Sequence, residues 1–394
     1  MKGNAISDLV SKVLRLSDPR YWLMKKVIIR NGEINVNGET YVTKKPLLIS
    51  VGKASVPMAD YFLKRMKPVR AIVVTPVPAE IDAEAIVAQH PLPGEGSLRA
   101  GEVIEEALSN EDYDLVLFLI SGGASALMEK SDLTLGELRE VYRVLVGSGL
   151  SINEINVVRK HLSHLKGGQL AKLSKARVLT LAVSDVPGND PSSIGSGPTV
   201  PDTSTVEQAR EIMERVGLTK YVSYLRETPK SLPNSSFYLL FDALDVLTEG
   251  FSGWLILTGE AKGDAKSLGA VLASIANSSQ RTDIEKVAMA GEPEVRLGEK
   301  VGKGGRNGEV CLSYYLHLRV KGFTLVALAS DGIDGNSEYA GCYVDDLDLE
   351  RSEVLEALEN HDTYGLLEKY GRTIKTGFTF TNVNNFYFLF RPAR

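Results

Sequence analysis

The 394-residue chain is short of several things, and each shortage excludes a class of protein. It has only two cysteines, Cys311 and Cys342. That is too few for a disulfide scaffold or a thiolate metal site, so both read as small core residues in a reducing compartment. No apolar run approaches the roughly 20 residues needed to cross a bilayer. Positive charge is not in excess: 45 Lys and Arg stand against 50 Asp and Glu, for a formal net charge of −5. A nucleic-acid reader would need a basic face. Residues 1–16 alternate charged and apolar at helical spacing and lack the apolar core of a secretory leader. Heptads, short repeats and low-complexity tracts are missing as well. The expectation is a cytoplasmic protein with no nucleic-acid or membrane partner.

What is present is an ordinary globular composition, 43% hydrophobic and 24% charged, on a chain long enough for two α/β domains. Short apolar runs at 47–51, 71–75, 115–120 and 178–183 alternate with helical patterns at 58–66, 98–108, 133–145 and 155–173. Such alternation predicts a parallel sheet covered on both faces. A second series starts near Phe237 and includes 254–257, 287–290, 323–329 and 386–390. Between the two lies 227–236, where Pro229, Pro233 and Asn234 break regular structure. The predicted domains are 1–232 and 233–394, with room for the last strand to pack back toward the first domain.

The most informative stretch is Ala329-Ser330-Asp331-Gly332-Ile333-Asp334-Gly335, which follows the apolar run 323–328. It puts Asp331 and Asp334 on a turn at the carboxyl end of a strand, where ligands collect in open α/β sheets. Carboxylates there suit a hard cation, and Asp190 is a third candidate. An ordinary Asp-Gly turn is the plain alternative. The turn has company, however. Ser50-Val51-Gly52-Lys53-Ala54-Ser55 ends the first core strand and places Lys53 within reach of a phosphate. Ser121-Gly122-Gly123-Ala124-Ser125-Ala126 follows the strand 115–120, and its small residues leave backbone N–H groups open to an anion.

Further on, Asn156, Arg159 and Lys160 share one side of a helix expected to end at Lys166-Gly167-Gly168, and Arg159 suits a bidentate grip on carboxylate or phosphate. His161 and His164 have the spacing of a metal pair but no third ligand nearby. Asp185 follows the strand 178–183 directly, a usual place for a general base or metal ligand. Lys303-Gly304-Gly305-Arg306-Asn307-Gly308-Glu309 combines open backbone, a guanidinium and a helix start, which favours polyphosphate. The turn Lys375-Thr376-Gly377-Phe378-Thr379-Phe380-Thr381-Asn382-Val383-Asn384 offers hydroxyls and amides to a ribose, a base edge or a hydrated cation. Two nucleotide signatures are missing. The run from Gly298 to Gly304 is one residue short of a Walker loop and ends in Gly304 where Ser or Thr should stand, and no Gly-x-Gly-x-x-Gly follows the first strand.

Taken in order, these loops resemble the glycerate 2-kinase family, the one with a MOFRL C-terminal domain. The likeness rests on Gly52-Lys53-Ala54, Ser121-Gly122-Gly123-Ala124-Ser125-Ala126-Leu127, Asn156 through His161, Ser184-Asp185-Val186-Pro187-Gly188 and Ser196-Gly197-Pro198-Thr199. It continues with Gly304-Gly305-Arg306-Asn307 and Glu309, Asp331 through Gly335, Ala340-Gly341 and Thr381-Asn382-Val383-Asn384. Gly308 stands where the family usually has glutamine, and Asn189 and Asn385 stand for aspartates. Phe378 and Phe380 replace a proline and a glycine, which bears on whatever the last turn contacts.

The resemblance implies an α/β fold with a Rossmann-like N-terminal domain, a smaller α/β C-terminal domain and an active site in the interdomain cleft. It implies ATP-dependent phosphorylation of the 2-hydroxyl of D-glycerate. Lys53, Asp185 and Arg306 would be catalytic. Ser121, Gly122, Gly123, Ser125 and Arg159 would bind substrate, and Gly304, Gly305, Asn307, Thr381, Asn382 and Asn384 would bind the nucleotide. Mg2+ or another divalent cation would bridge the phosphates, with Asp190, Asp331 and Asp334 as its protein partners. A homodimer is compatible with all of this. Two rivals stand beside the kinase: a reductase of hydroxypyruvate or tartronate semialdehyde, and a nucleotide-binding module without catalysis.

Overall fold

The computed structural model describes residues 2–345 and 349–391. Two compact units divide the chain: a first, Pro19–Leu240, and a second made of Met1–Asp18 with Phe241–Arg394. The division thus differs from one at 232/233. The last strand of the first sheet is grouped with that sheet, and the opening helix α1 (Lys2–Ser17) is grouped with the second unit.

The first unit begins with α2 (Pro19–Lys26) and a small antiparallel sheet, β1 (Val27–Arg30), β2 (Glu33–Val36) and β3 (Glu39–Val42). The sequence reading missed this sheet, whose strands of four residues are too short to show a period. The main sheet follows: β4 (Pro46–Val51), α3 (Ser55–Leu63), β5 (Arg70–Thr75), β6 (Glu84–Val87), α4 (Glu95–Asn110) and β7 (Leu115–Ile120). After β7 come α5 (Ala124–Leu127), α6 (Leu135–Gly147), α7 (Ile152–Leu162), α8 (Gln169–Leu173), β8 (Arg177–Val183), α9 (Val206–Arg215) and β9 (Ser235–Phe241).

The strands lie in the order β6-β5-β4-β7-β8-β9. Counted from β4 this is 3-2-1-4-5-6, the doubly wound order of dinucleotide-binding folds. Every residue of β4 and β7 is buried, as central strands covered on both faces require. Helices α6, α7 and α9 start on full capping boxes, Thr134 with Glu137, Ser151 with Glu154 and Thr205 with Gln208. The single helical pattern over 155–173 is in fact two helices. The chain leaves α7 at Ser163 in extended conformation, and Gly167 and Gly168, at φ +57° and +84°, restart it as α8.

The second unit continues with α10 (Ala243–Gly250), β10 (Leu255–Ile256), α11 (Ala265–Thr282), β11 (Lys286–Gly291), α12 (Arg306–His317), β12 (Thr324–Ala329) and β13 (Gly341–Val344). It closes with α13 (Arg351–Glu359), α14 (Thr363–Lys369), β14 (Thr373–Ile374) and β15 (Asn385–Phe390). Its sheet is mixed, in the order β10-β11-β15-β12-β13-β14. β15 is antiparallel to both β11 and β12, so the final strand is a middle strand of its own unit. α11 and α12 pack closely because Gly269 has no side chain; a Cβ there would meet the Val310 carbonyl oxygen at 2.4 Å. Among the described residues no helix is long and apolar enough to cross a membrane.

Candidate functional site

In the first unit the chain winds outward from β4 to one edge and from β7 to the other, so β4 and β7 flank the topological switch point where such folds bind ligands. The two strands are parallel, and their last residues Val51 and Ile120 are in register. The loops that follow are therefore stitched together. Lys53 N–H donates to Gly122 O at 2.9 Å, Ser121 N–H to Val51 O at 3.0 Å, and Ala54 N–H to the Ser121 hydroxyl at 3.0 Å. Gly52, at φ +128°, makes the approach possible: a Cβ would lie 2.1 Å from the Ser121 hydroxyl. Lys53 and the 121–125 turn, proposed from separate stretches of sequence, thus form one feature.

The other residues expected to bind substrate lie in the same unit. Ser125 and Ser196 share a hydroxyl–hydroxyl hydrogen bond of 2.9 Å, which ties the turn to the 3-10 segment Ile194–Ser196 after β8. Arg159, half-buried in the last turn of α7, lies with its guanidinium carbon 4.7 Å from the centre of the Tyr142 ring. Its Nε is buried and has no hydrogen-bond partner among the described residues. Asp185 is half-buried just past β8. Lys160, next to Arg159, is turned inward and pairs with buried Asp202 at 3.2 Å. It is therefore a structural cation and no part of a basic surface stripe.

In the second unit Arg306 is the first residue of α12, and its guanidinium meets Glu292, just past β11, at 2.5 Å. Burial works against that charge, yet Glu292 and then Asp334 hold the guanidinium above its usual range. Asn385 at the start of β15 is in register with Gly291 and Ala329, so β11, β12 and α12 meet at one end of the sheet. There the Asn385 side chain accepts from Asn307 Nδ2 at 2.9 Å and donates to Gly291 O at 3.3 Å. The Arg306 loop and the Asp-Gly turn interlock through glycines: a Cβ on Gly305 would sit 2.4 Å from Asp334 Cγ, and one on Gly335, at φ +62°, 2.1 Å from Gly304 O.

The carboxylates expected to hold a cation do other work. Asp334 is buried, and its Oδ2 accepts from the N–H groups of Asn307 and Gly308 at 2.9 and 3.1 Å and from the Tyr364 hydroxyl at 2.7 Å. It caps a helix. Asp190 accepts from Ser192 N–H and from the hydroxyls of Ser192 and Ser193 at 3.1, 2.7 and 2.8 Å. Although partial burial opposes it, these donors hold the acid below its usual range. Asp331 Oδ1 accepts from Ile333 N–H at 3.1 Å. No group of three His, Cys, Asp or Glu among the described residues has the spacing of a metal site. Each of the three aspartates thus serves at least one donor through one of its oxygens, while Asp334 Oδ1 is buried and takes no hydrogen bond among the described residues.

Several of the residues assigned to the nucleotide are likewise inward. Asn307 is fully buried, the Thr381 hydroxyl donates to Ser17 O at 2.7 Å, and Asn384, at φ +68°, accepts Ser330 N–H on its carbonyl at 3.0 Å. Gly304 N–H donates to Asn336 Oδ1 at 2.9 Å. These groups shape the loops. Asn382 keeps partial exposure, and Phe378 and Phe380 pack edge to face at 5.0 Å beside it in sequence. Glu292, Glu129, Tyr142 and Lys166 were not foreseen. A glutamate after Gly291 at a strand end was the only signal for the first, the spacing of Tyr142 with Leu138, Val141 and Leu145 marks it as a core position only, and nothing in the local sequence marks Glu129 or Lys166 as buried.

A doubly wound sheet with a lysine and a small-residue turn at its switch point, joined in the same chain to a mixed α/β unit with an arginine at a helix start, defines a family of two-module α/β proteins. Residues 5–227 match the family model described as a domain of unknown function, DUF4147, and residues 286–385 match the MOFRL family. A glycerate 2-kinase of Sulfurisphaera tokodaii is 47% identical over 98% of this chain and 99% of its own. A putative hydroxypyruvate reductase of Agrobacterium vitis is 37% identical over 86% of this chain and 85% of its own. The crystal structure of a glycerate kinase from Thermotoga maritima aligns with a TM-score of 0.83 at 30% identity, covering 98% of both chains. The chain belongs to the glycerate 2-kinase family.

Proposed function

We infer that the protein is a glycerate 2-kinase, transferring the γ-phosphoryl group of ATP to the 2-hydroxyl of D-glycerate. The observation that carries this reading is the full-length identity of 47% to a glycerate 2-kinase, with Lys53 and the 121–125 turn joined at the switch point of the sheet. Phosphoryl transfer asks a protein mainly for positioning and charge neutralisation. Arg159 and the backbone of the 121–125 turn hold the carboxylate of the acid. Asp185 takes the proton of the 2-hydroxyl as its oxygen bonds to the γ-phosphorus. The bond from that phosphorus to the bridging oxygen breaks, and ADP leaves. Lys53 and Arg306 offset the charge on the moving group. A divalent ion carried in on the nucleotide's phosphates suits this chain better than one held by Asp190, Asp331 and Asp334. Two buried free cysteines agree with a cytoplasmic setting.

The reductase reading has a named relative in its favour. Against it stands the turn after β4, Gly52-Lys53-Ala54, which lacks the glycine spacing that lets backbone approach a dinucleotide. Purified protein with D-glycerate and Mg-ATP should release ADP and yield 2-phosphoglycerate identified by NMR. Oxidation of NADH with hydroxypyruvate, and no ADP release, would replace this conclusion with the rival.

A further inference from the structure

Behind the loops of the first unit lies an ion pair that the reaction does not use. Glu129 and Lys166 are both fully buried and hydrogen-bonded to each other. Two hydroxyls and an amide complete the glutamate, with Tyr142 donating to Oε2 at 2.5 Å and Ser163 and the Lys130 N–H to Oε1 at 2.7 and 3.0 Å. Burial pulls the Lys166 ammonium below its usual range against the pull of Glu129, and pushes the Tyr142 phenol well above its own. Taking two charges out of water is unfavourable, and apolar residues of similar volume often serve stability as well or better. A pair so placed therefore calls for a reason other than stability.

The connections around it supply one. Glu129 lies two residues beyond α5, the helix that the 121–125 turn opens. Ser163 and Lys166 follow α7, which carries Arg159. Gly167, beside the lysine, donates its N–H to Ser196 O at 2.9 Å, and Ser196 holds Ser125. Tyr142, which donates to the glutamate, presents its ring to Arg159. Arg159 and Ser125, two of the groups assigned to the acid substrate, are thus connected to a single desolvated pair, one through Tyr142 and the other through Ser196 and Gly167.

We propose that Glu129, Lys166 and Tyr142 are positioning residues for glycerate, fixing Arg159 and the 121–125 turn in one mutual geometry through a buried charge pair and a shared tyrosine. A directional pair permits one arrangement of the segments it joins, whereas apolar packing tolerates several. With the pair intact, the arginine is ordered before substrate arrives, and less binding energy is lost to arranging it.

The inference rests on Arg159 binding glycerate. Its test is the variant Glu129→Gln/Lys166→Met, which removes both charges while keeping an amide acceptor for Lys130 N–H and leaving Ser163 to accept the N–H groups of Leu165 and Lys166, together with the milder Tyr142→Phe in case the double variant does not fold. The expected result is a KM for glycerate raised about tenfold in the first and about threefold in the second, with KM for ATP and the melting temperature little changed. A purely structural network would move stability and leave the two KM values in step. Each change is then repeated with Arg159→Ala, where its effect on glycerate should vanish because both act through one group. Unchanged glycerate KM in an active Tyr142→Phe enzyme, or effects that add to Arg159→Ala, overturn the proposal. Failure of the kinase reading shows separately, as wild-type protein that phosphorylates no glycerate.

Discussion

Asp334 Oδ2 accepts the N–H of Asn307 at 2.9 Å, so a buried carboxylate sits against the first turn of the helix that Arg306 begins. Its position allows favourable contact with the helix dipole, yet Oδ1 is buried without a hydrogen-bond partner among the described residues. Burial prevails over the Tyr364, Asn307 and Gly308 donors and raises the acid from 3.8 to about 6.

A raised acid makes the folded state hold a proton that the unfolded chain has released. Stability from this group is therefore full below about pH 4, declines as pH rises to about 6, and is flat beyond, a change of at most about 3 kcal/mol. Asp334→Asn should remove that decline. Denaturant titrations of both proteins from pH 4 to 7 check it, and parallel profiles would show that Asp334 does not titrate there.

Lys53→Ala and Arg306→Ala should each lower kcat by about two to three orders of magnitude, the usual loss when a group facing transition-state charge is removed. Both side chains are only half-buried, so melting temperatures should stay within a few degrees of wild type. Near-normal turnover in either variant removes that residue from the mechanism.

Gly52→Ala asks whether the stitch between the two switch-point loops matters to catalysis. The new Cβ would meet the Ser121 hydroxyl at 2.1 Å and its carbonyl oxygen at 2.6 Å, at a φ of +128°. A loss of about 1–3 kcal/mol in stability and more than tenfold in kcat/KM should follow. Gly38→Ala is the comparison, with φ +87° and nothing within 4 Å. It should show backbone strain of about 1 kcal/mol and normal kinetics.

Ser151→Ala removes the cap of the helix that carries Arg159. Ser151 accepts from Glu154 N–H at 3.3 Å, and the Glu154 carboxylate, paired also with Arg215, accepts from Ser151 N–H at 3.0 Å. The change should cost about 1 kcal/mol in a denaturant titration, with kcat within about twofold of wild type. The Ser151 donors and Arg215 lower Glu154 to about 2. Its contribution is therefore present above about pH 4.5 and fades as pH falls toward 2. Unaltered acid sensitivity in the variant would contradict that account.

Much of this architecture is readable from the chain because the central strands are continuous apolar runs and the loops after them carry glycine. The runs at 115–120 and 178–183 reappear as β7 and β8 almost residue for residue. The grouping of Lys53 with the 121–125 turn was legible only as two separate loops, since strand order is a long-range property that local pattern does not contain. The surroundings of Asp334 were hidden for a related reason: spacing puts it on the turn, but whether its side chain faces solvent or the start of α12 depends on a segment nearly thirty residues earlier, Asn307. Glu129 and Lys166 escaped notice because a charged residue is expected outside unless paired, and its partner lies 37 positions away. The sheet of β1, β2 and β3 fell below the length at which alternation can be recognised.

Thr381 in the last loop and Ser17 in the first helix are hydrogen-bonded across 364 positions of sequence, and β15 is a middle strand of the unit to which that helix belongs. During synthesis on the ribosome, residues 19–240 can therefore complete their sheet while the second unit still waits for its central strand. Translation order makes the arginine-bearing half the last to mature, so partly made chains would display an unfinished apolar sheet, and chaperone demand should peak late in elongation.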